Sequence, residues 1–258
     1  MTQPERREPM FNVPAIVLAM LVVIGVVHLA RSALSEASDE TLTLALAFIP
    51  DRYGLHPLAW PGGTISAWTS PLTYMAVHGD ATHLAFNATS LLAFGGVVAR
   101  RLGGVRFALF TAVCGVMGAG LFFVLNLGVK APLIGASGAI SGMMAAALRL
   151  LFSALDGAPA GLAGELIRRA PQLITLKRLG AAMADRRLQL ATGSWLFINL
   201  LAAFGLATPA QAGVVAWEAH VGGYLAGLLT FGLFDPGVRR EPQGARSPAA
   251  EATNGSPP

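Results

Sequence analysis

Residues 135–138 read Gly135-Ala136-Ser137-Gly138, a serine held between small residues at the mouth of an apolar run. A second apolar run carries Ala219-His220-Val221-Gly222-Gly223. A serine and a distant histidine, both inside apolar segments, suggest a nucleophile and its base. Placing an ionisable side chain in lipid is costly, so such a residue is a functional hypothesis by default. The fold must then be one in which these two residues meet.

Composition points to a membrane. Hydrophobic residues make up 54% of the chain and charged residues 12%, against about 25% charged in a soluble domain. The single cysteine, Cys114, excludes an internal disulfide framework and a cysteine-based metal site. It lies in an apolar run and reads as packing. No metal, no other cofactor and no nucleic-acid partner is expected. The lipid bilayer is the expected surrounding, and oligomeric state is not legible.

Apolar runs of about 20 residues suggest transmembrane helices. They fall near 11–31, 83–100, 105–127, 132–152, 190–207 and 212–234. The first follows a basic start and exceeds the roughly 7–15 residues of a signal-peptide core, so it reads as a retained helix. Basic residues mark the cytoplasmic side. Arg6 and Arg7 precede span 1, and Arg100, Arg101 and Arg106 lie between spans 2 and 3. Arg168, Arg169, Lys177, Arg178, Arg186 and Arg187 lie between spans 4 and 5, and Arg239, Arg240 and Arg246 follow span 6. The alternate loops carry few. The expected fold is an all-α membrane protein, a six-transmembrane-helix bundle with both termini cytoplasmic. Its parts are a cytoplasmic N-terminus (1–10), a membrane domain (11–235) and a tail (236–258). The membrane domain includes a long outside loop (32–82) and a basic inside loop (153–189). The tail, rich in Pro, Gly, Ser and Ala, reads as disordered.

The outside loop is too long to be structureless unless it is functional. Its amphipathic stretch 42–49 and its Pro and Gly residues predict short interfacial helices, with Trp60 and Trp68 as anchors.

Depth can be measured from the inner end of each span, because a helix rises about 1.5 Å per residue. With Arg149 as the inner mark of span 4, Ser137 lies ~18 Å above it. With Arg100 for span 2, Asn87 lies ~20 Å and His83 ~26 Å up. With Asp235 for span 6, His220 lies ~22 Å up. All four then share one layer beneath the outer surface of a core about 30 Å thick. His83 and Asn87 are one turn apart on one face. Gly223 and Gly227 share a face with His220, and Gly138 and Gly142 offer matching grooves on span 4. Small residues let membrane helices approach closely, which would carry His220 to Ser137.

Serine is a weak nucleophile until a base takes its proton, and acyl transfer needs donors for the tetrahedral oxyanion. His220 suits the first role; His83, the Asn87 amide and the Ser137 backbone N–H suit the second. No carboxylate shares the layer in a partnering position, so the reading is a Ser–His dyad.

These residues resemble the rhomboid intramembrane serine protease family. Gly135-Ala136-Ser137-Gly138 is similar to its GxSG motif, and Ala219-His220-Val221-Gly222-Gly223 with Gly227 to its AHxxGxxxG motif. His78 to Asn87, with His83 between, is similar to its H…HxxxN segment. The resemblance covers about 70–235. It implies a serine endopeptidase cleaving transmembrane or juxtamembrane segments of membrane proteins, with partners that carry a transmembrane helix. It implies Ser137 as nucleophile, His220 as general base and acid, and His83 and Asn87 in the oxyanion hole. Gly135 and Gly138 would shape the serine's turn, and span 5 with the following loop would gate the substrate helix.

Three positions depart from the family's pattern. Thr69 follows Trp68 where many relatives have Arg, Ser141 stands where many have an aromatic that stacks on the base, and the Arg100–Arg101 region replaces a Glu. They bear on loop docking and on histidine positioning. Glu218 is off the His220 face and has no assigned role.

The plainer readings are a packing serine, a proton-relay or packing histidine, and His78 as a loop residue near the interface. Trp195 and Phe197 read as lipid-facing or gating aromatics. The alternative function is a non-enzymatic client-binding protein or transporter on the same scaffold. A transporter would more readily show repeated halves with broken helices, and no such repeat is seen. The absence of a transit-like N-terminus points to the bacterial plasma (inner) membrane.

The topology is testable by cysteine accessibility. Tags at Lys130 and Pro209 should react from outside, and tags at Gly180 and Ser247 only from inside. Outside labelling at Gly180 would overturn the six-span reading and the common depth of the site.

Overall fold

The computed structural model describes residues 13–54, 59–159, 161–206 and 216–237. Among these the chain is helical, with no strand beyond one isolated antiparallel bridge between Phe48 and Leu133. The helices run in order α1 (Ala15–Ser32), α2 (Glu36–Leu46), α3 (Gly63–Thr73), α4 (Ala81–Ser90), α5 (Gly96–Leu102) and α6 (Gly104–Leu125). Then come α7 (Ser137–Gly157), α8 (Ala163–Arg169), α9 (Leu179–Met183), α10 (Arg186–Ala203) and α11 (Trp217–Phe234). A π turn at Leu91–Gly95 joins α4 to α5 in one continuous rod. Gly103, at a φ of 77°, reverses the chain between α5 and α6.

Four of these rods are long and apolar enough to cross a membrane: α1, α4–α5, α6 and α7. Helices also form where the fifth and sixth spans were expected, but they are less apolar. Glu218, His220, Tyr224 and several glycines dilute α11. The expected 1–10 segment, the stretch 207–215, and all but the first two residues of the 236–258 tail lie outside the described residues.

Boundaries shift for local reasons. The fourth span, expected at 132–152, is α7 at Ser137–Gly157. Leu133 is held in the bridge and Gly135 has a φ of 104°, so helix cannot start before Ser137. α10 begins at Arg186 because the Asp185 Oδ1 accepts a hydrogen bond from the Arg187 N–H at 3.0 Å, a side-chain cap. Arg187 and Lys177 hold the Asp185 carboxyl well below the usual carboxylate range.

Arg149, expected to mark the inner end of span 4, is neither exposed nor at the end of its helix. It is 3% exposed, and α7 runs on to Gly157. Its guanidinium donates to the Leu228 carbonyl at 2.9 Å and the Lys177 carbonyl at 3.3 Å. This end of the bundle is tied elsewhere too. Arg101 forms a two-pronged ion pair with Asp235 at 2.6 and 2.8 Å and donates to the Pro171 carbonyl at 2.8 Å. Removing one partner of a buried pair costs about 3–5 kcal/mol, because the other charge is left stranded.

α11 runs through the middle, between α6 and α7. Its buried face is Ala219, Gly222, Gly223, Tyr224, Ala226, Gly227, Leu228 and Phe231. Backbone meets backbone there. A Cβ on Gly223 would overlap the Gly138 carbonyl, and one on Gly227 would overlap that of Gly142. On the opposite side, a Cβ on Gly222 would come within 2.6 Å of the Met117 carbonyl of α6. By contrast α1 shows Val22, Val23, Val26 and Leu29 to its surroundings, the pattern of a helix facing lipid.

The 32–82 stretch, expected as the outside loop, folds as short helices. Arg52, fully buried, donates to the carbonyls of Leu44, Ala47 and Pro61 and so draws α2, the Pro50–Tyr53 turn and the start of α3 together. The Thr73 hydroxyl donates to the Leu46 carbonyl at 2.8 Å. Trp60 Nε1 donates to Asp51 at 3.1 Å, while Trp68 is 82% exposed.

Glycine is required at the α7–α11 contact for space. Gly223→Ala should destabilise the protein in detergent by roughly 1–3 kcal/mol or more, the usual cost of overpacking. Gly193→Ala in α10, where a Cβ meets nothing within 4 Å, should be neutral or slightly stabilising. Equal melting temperatures for the two variants would refute the close-contact account.

Candidate active site

Ser137 is the first residue of α7. The turn that carries it is fixed from two directions. The Gly135 N–H donates to the Tyr74 carbonyl at 3.0 Å, and Leu133 exchanges hydrogen bonds of 3.1 and 2.8 Å with Phe48. Tyr74, fully buried, donates its hydroxyl to the Gly115 carbonyl of α6 at 2.9 Å. The 32–82 stretch therefore anchors the serine turn, a link with no signal in the residue pattern. Because Ser137 opens the helix, the N–H groups of this first turn have no intrahelical acceptor.

His220 lies in the first turn of α11. The glycine contacts below it bring the two helices close enough that His220 Nε2 is 2.7 Å from Ser137 Oγ. The other ring nitrogen, Nδ1, is 2.7 Å from Oδ1 of Asn199 on α10. The sequence reading missed Asn199. Its one signal was a buried-type amide in the middle of an apolar helix, which costs free energy unless it is hydrogen-bonded.

His83 stands on the other side of the serine turn. Asp80 caps its helix, accepting from the His83 N–H at 2.8 Å. Its ring packs against Gly135, where a Cβ would be 2.7 Å from His83 Nε2 and 3.8 Å from Ser137 Oγ. Gly135 is thus needed twice, for its positive φ and for the room it leaves His83. The Gly79 N–H points at His83 Nδ1 over a long 3.4 Å. With Nδ1 an acceptor, the neutral ring carries its hydrogen on Nε2, a donor beside the serine.

Asn87, one turn further along α4, is 4% exposed. Its Nδ2 donates to the His83 carbonyl at 3.0 Å, and Oδ1 has no hydrogen-bond partner among the described residues. No hydrogen bond joins Asn87 to Ser137 there.

Several secondary readings change. His78 lies in the loop before α4, as expected, but is fully buried, 5.0 Å from the His83 ring in a T-shaped arrangement. Its carbonyl accepts from Arg31 at 2.7 Å, which pulls it inward. Ser141 is buried and donates to the Ser137 carbonyl at 2.8 Å. Trp195 stacks on Tyr224 with ring centroids 4.3 Å apart, whereas Phe197 is 62% exposed. Glu218 accepts from Asn126 at 3.1 Å and so ties the start of α11 to the end of α6. Gly138, a Cβ on which would lie 3.1 Å from the Ala219 carbonyl, sits where α7 and α11 are closest to the serine. Among the described residues no cluster of three or more His, Cys, Asp or Glu is placed to hold a metal ion.

A serine hydroxyl hydrogen-bonded to an imidazole, with N–H donors nearby, is an arrangement suited to nucleophilic acyl transfer. The family model described as Rhomboid domain matches residues 66–235, well over half of the chain. No curated protein matches the chain. With the four apolar rods, the match identifies an integral, multi-pass membrane protein.

Proposed function

The chain belongs to the rhomboid family, whose members are typically serine proteases acting on membrane proteins within the bilayer, and on that premise we propose that it is an intramembrane serine endopeptidase. The observation that carries this reading is the 2.7 Å contact between His220 Nε2 and Ser137 Oγ. The substrate is a membrane protein cut within or beside a transmembrane helix. The enzyme spans the membrane six times with both termini cytoplasmic, in a bacterial inner membrane.

In the proposed reaction Ser137 Oγ attacks the scissile carbonyl carbon while its proton passes to His220 Nε2. Charge builds on the carbonyl oxygen, and donors from His83 Nε2, Asn87 Nδ2 and the Ser137 N–H stabilise it. The carbon–nitrogen bond then breaks, and His220 gives its proton to the departing amine. Water, deprotonated by His220, attacks the acyl-serine and releases the second product, returning the proton to Ser137. Asn87 takes its part with the second N–H of its amide, since the first is engaged with the His83 carbonyl.

Cleavage of single-span membrane proteins by purified protein tests the dyad. Ser137→Ala and His220→Ala should each abolish cleavage without loss of folding. The double variant should be no worse than either, because the two act as one unit. A fluorophosphonate should label Ser137 and leave the back-bonded Ser141 untouched. Full cleavage by Ser137→Ala would sink the peptidase reading and leave a non-enzymatic client binder on this scaffold.

Asn87→Ala tests the oxyanion role. Loss of one donor typically costs about 10²–10³ in rate. With His83 and the Ser137 N–H remaining, the low end or less is expected, and it should fall on kcat, since the charge exists only in the transition state. A raised KM with unchanged kcat would make Asn87 a binding or packing residue.

A further inference from the structure

Asn199 is an amide on a helix that is otherwise weakly buried. Leu188 and Asn199 are the buried residues of α10, while Leu190, Phe197, Ile198 and Phe204 are exposed. Its two hydrogen bonds leave little freedom. Nδ2 donates to the Trp195 carbonyl of its own helix at 3.1 Å, and Oδ1 lies 2.7 Å from His220 Nδ1. The Trp195 carbonyl has no hydrogen, so it must be met by the NH₂ end of the amide. That places Oδ1 at the histidine. Oδ1 has no hydrogen either, so Nδ1 must carry one. A neutral imidazole has one N–H, and Nε2 is then left with its lone pair, 2.7 Å from Ser137 Oγ. One backbone carbonyl on α10 thus decides, through two side chains, which nitrogen is free to take the serine's proton.

We infer that Asn199 is a positioning residue for His220, holding its ring and its tautomer so that Nε2 faces Ser137 as a base; this rests on the peptidase reading of that pair. The imidazolium formed when the proton moves keeps its Nδ1–H bonded to the amide oxygen. Being neutral, that oxygen steadies the charge less than the buried carboxylate of a full serine triad does. Asn199 also makes the base dependent on where α10 sits. α10 docks on α11 beside the site through the Trp195–Tyr224 stack and a 2.6 Å contact between the Thr192 and Tyr224 hydroxyls. Displacement of α10 from α11 would remove the Nδ1 acceptor.

Two measurements test this. The first is nitrogen NMR of ¹⁵N-histidine-labelled protein in bilayers, with His220→Gln for assignment among the five histidines. Wild type should show His220 with a protonated Nδ1 and an unprotonated Nε2, and Asn199→Leu should show the two tautomers mixed. The second is cleavage kinetics. Asn199→Leu should lower kcat by roughly 10- to 100-fold, below or at the foot of what general-base catalysis contributes, with KM changed less than about two-fold. Asn199→Asp, which keeps an acceptor at Nδ1, should recover most of that loss. A His220 protonated at Nε2 in wild type overturns the inference whatever the activity. So does a wild-type kcat in Asn199→Leu while cleavage still requires Ser137. Cleavage that survives Ser137→Ala defeats the peptidase reading alone, and the nitrogen spectra still decide the tautomer.

Discussion

Everything at the site depends on two helices touching backbone to backbone. Gly138 and Gly142 on α7 face Gly223 and Gly227 on α11, with no room for a Cβ at Gly223 or Gly227. In lipid there is no hydrophobic drive to bring helices together, so close van der Waals packing has to supply it. That packing sets the distance between α7 and α11, and hence between Ser137 and His220. Placed one side chain's width further apart, the helices would leave a histidine in the membrane without its serine. α11 is accordingly glycine-rich where α6 and α7 meet it.

Much of this was legible in the sequence because lipid makes patterns costly to hide. Apolar runs near 20 residues mark rods, and α1, α4–α5, α6 and α7 lie within a few residues of where the runs put them. Ser137, His220 and the four glycines were legible as pairs on separate runs, since their spacing puts each set on one helical face. What failed was what spacing does not encode. Arg149 looked like an inner-surface marker because arginine usually is one; here it is buried on backbone carbonyls. Residues 132–134 looked helical because they are apolar, but a bridge to Phe48 and a positive φ at Gly135 keep them extended. Asn199 went unnoticed because its partner is 21 positions away and its own neighbours are unremarkable aromatics and aliphatics.

The buried arginines share one device. Arg31, Arg52, Arg101 and Arg149 each spend at least one guanidinium N–H on a backbone carbonyl of a turn or helix end. A guanidinium offers five donors in a fixed fork, and extended or terminal carbonyls lack helical partners. The pairing satisfies both at once. It also explains why the described part of the 32–82 stretch is ordered without strands: Arg52 gathers carbonyls from α2 and the segment just before α3, and Arg31 holds the His78 carbonyl just before α4. Charge in this protein serves to fasten loops where apolar packing cannot.

The same logic reaches the histidine. In many relatives an aromatic four residues after the serine would stack on the base, but Ser141 is too small and is bonded back to the Ser137 carbonyl. A ring with nothing stacked on it can rotate about its side-chain bonds, and rotation would swing Nε2 away from the hydroxyl. A hydrogen bond at Nδ1 removes that freedom by a different route, since a ring held at both nitrogens has one orientation left. Trp195 and Tyr224 stack between α10 and α11, four residues before Asn199 and after His220 respectively, so each lies one turn from the residue it steadies. The stack aligns the helices and the amide aligns the ring. The base is thus oriented from α10 instead of from α7, while the distance to the nucleophile is set by the α7–α11 contact.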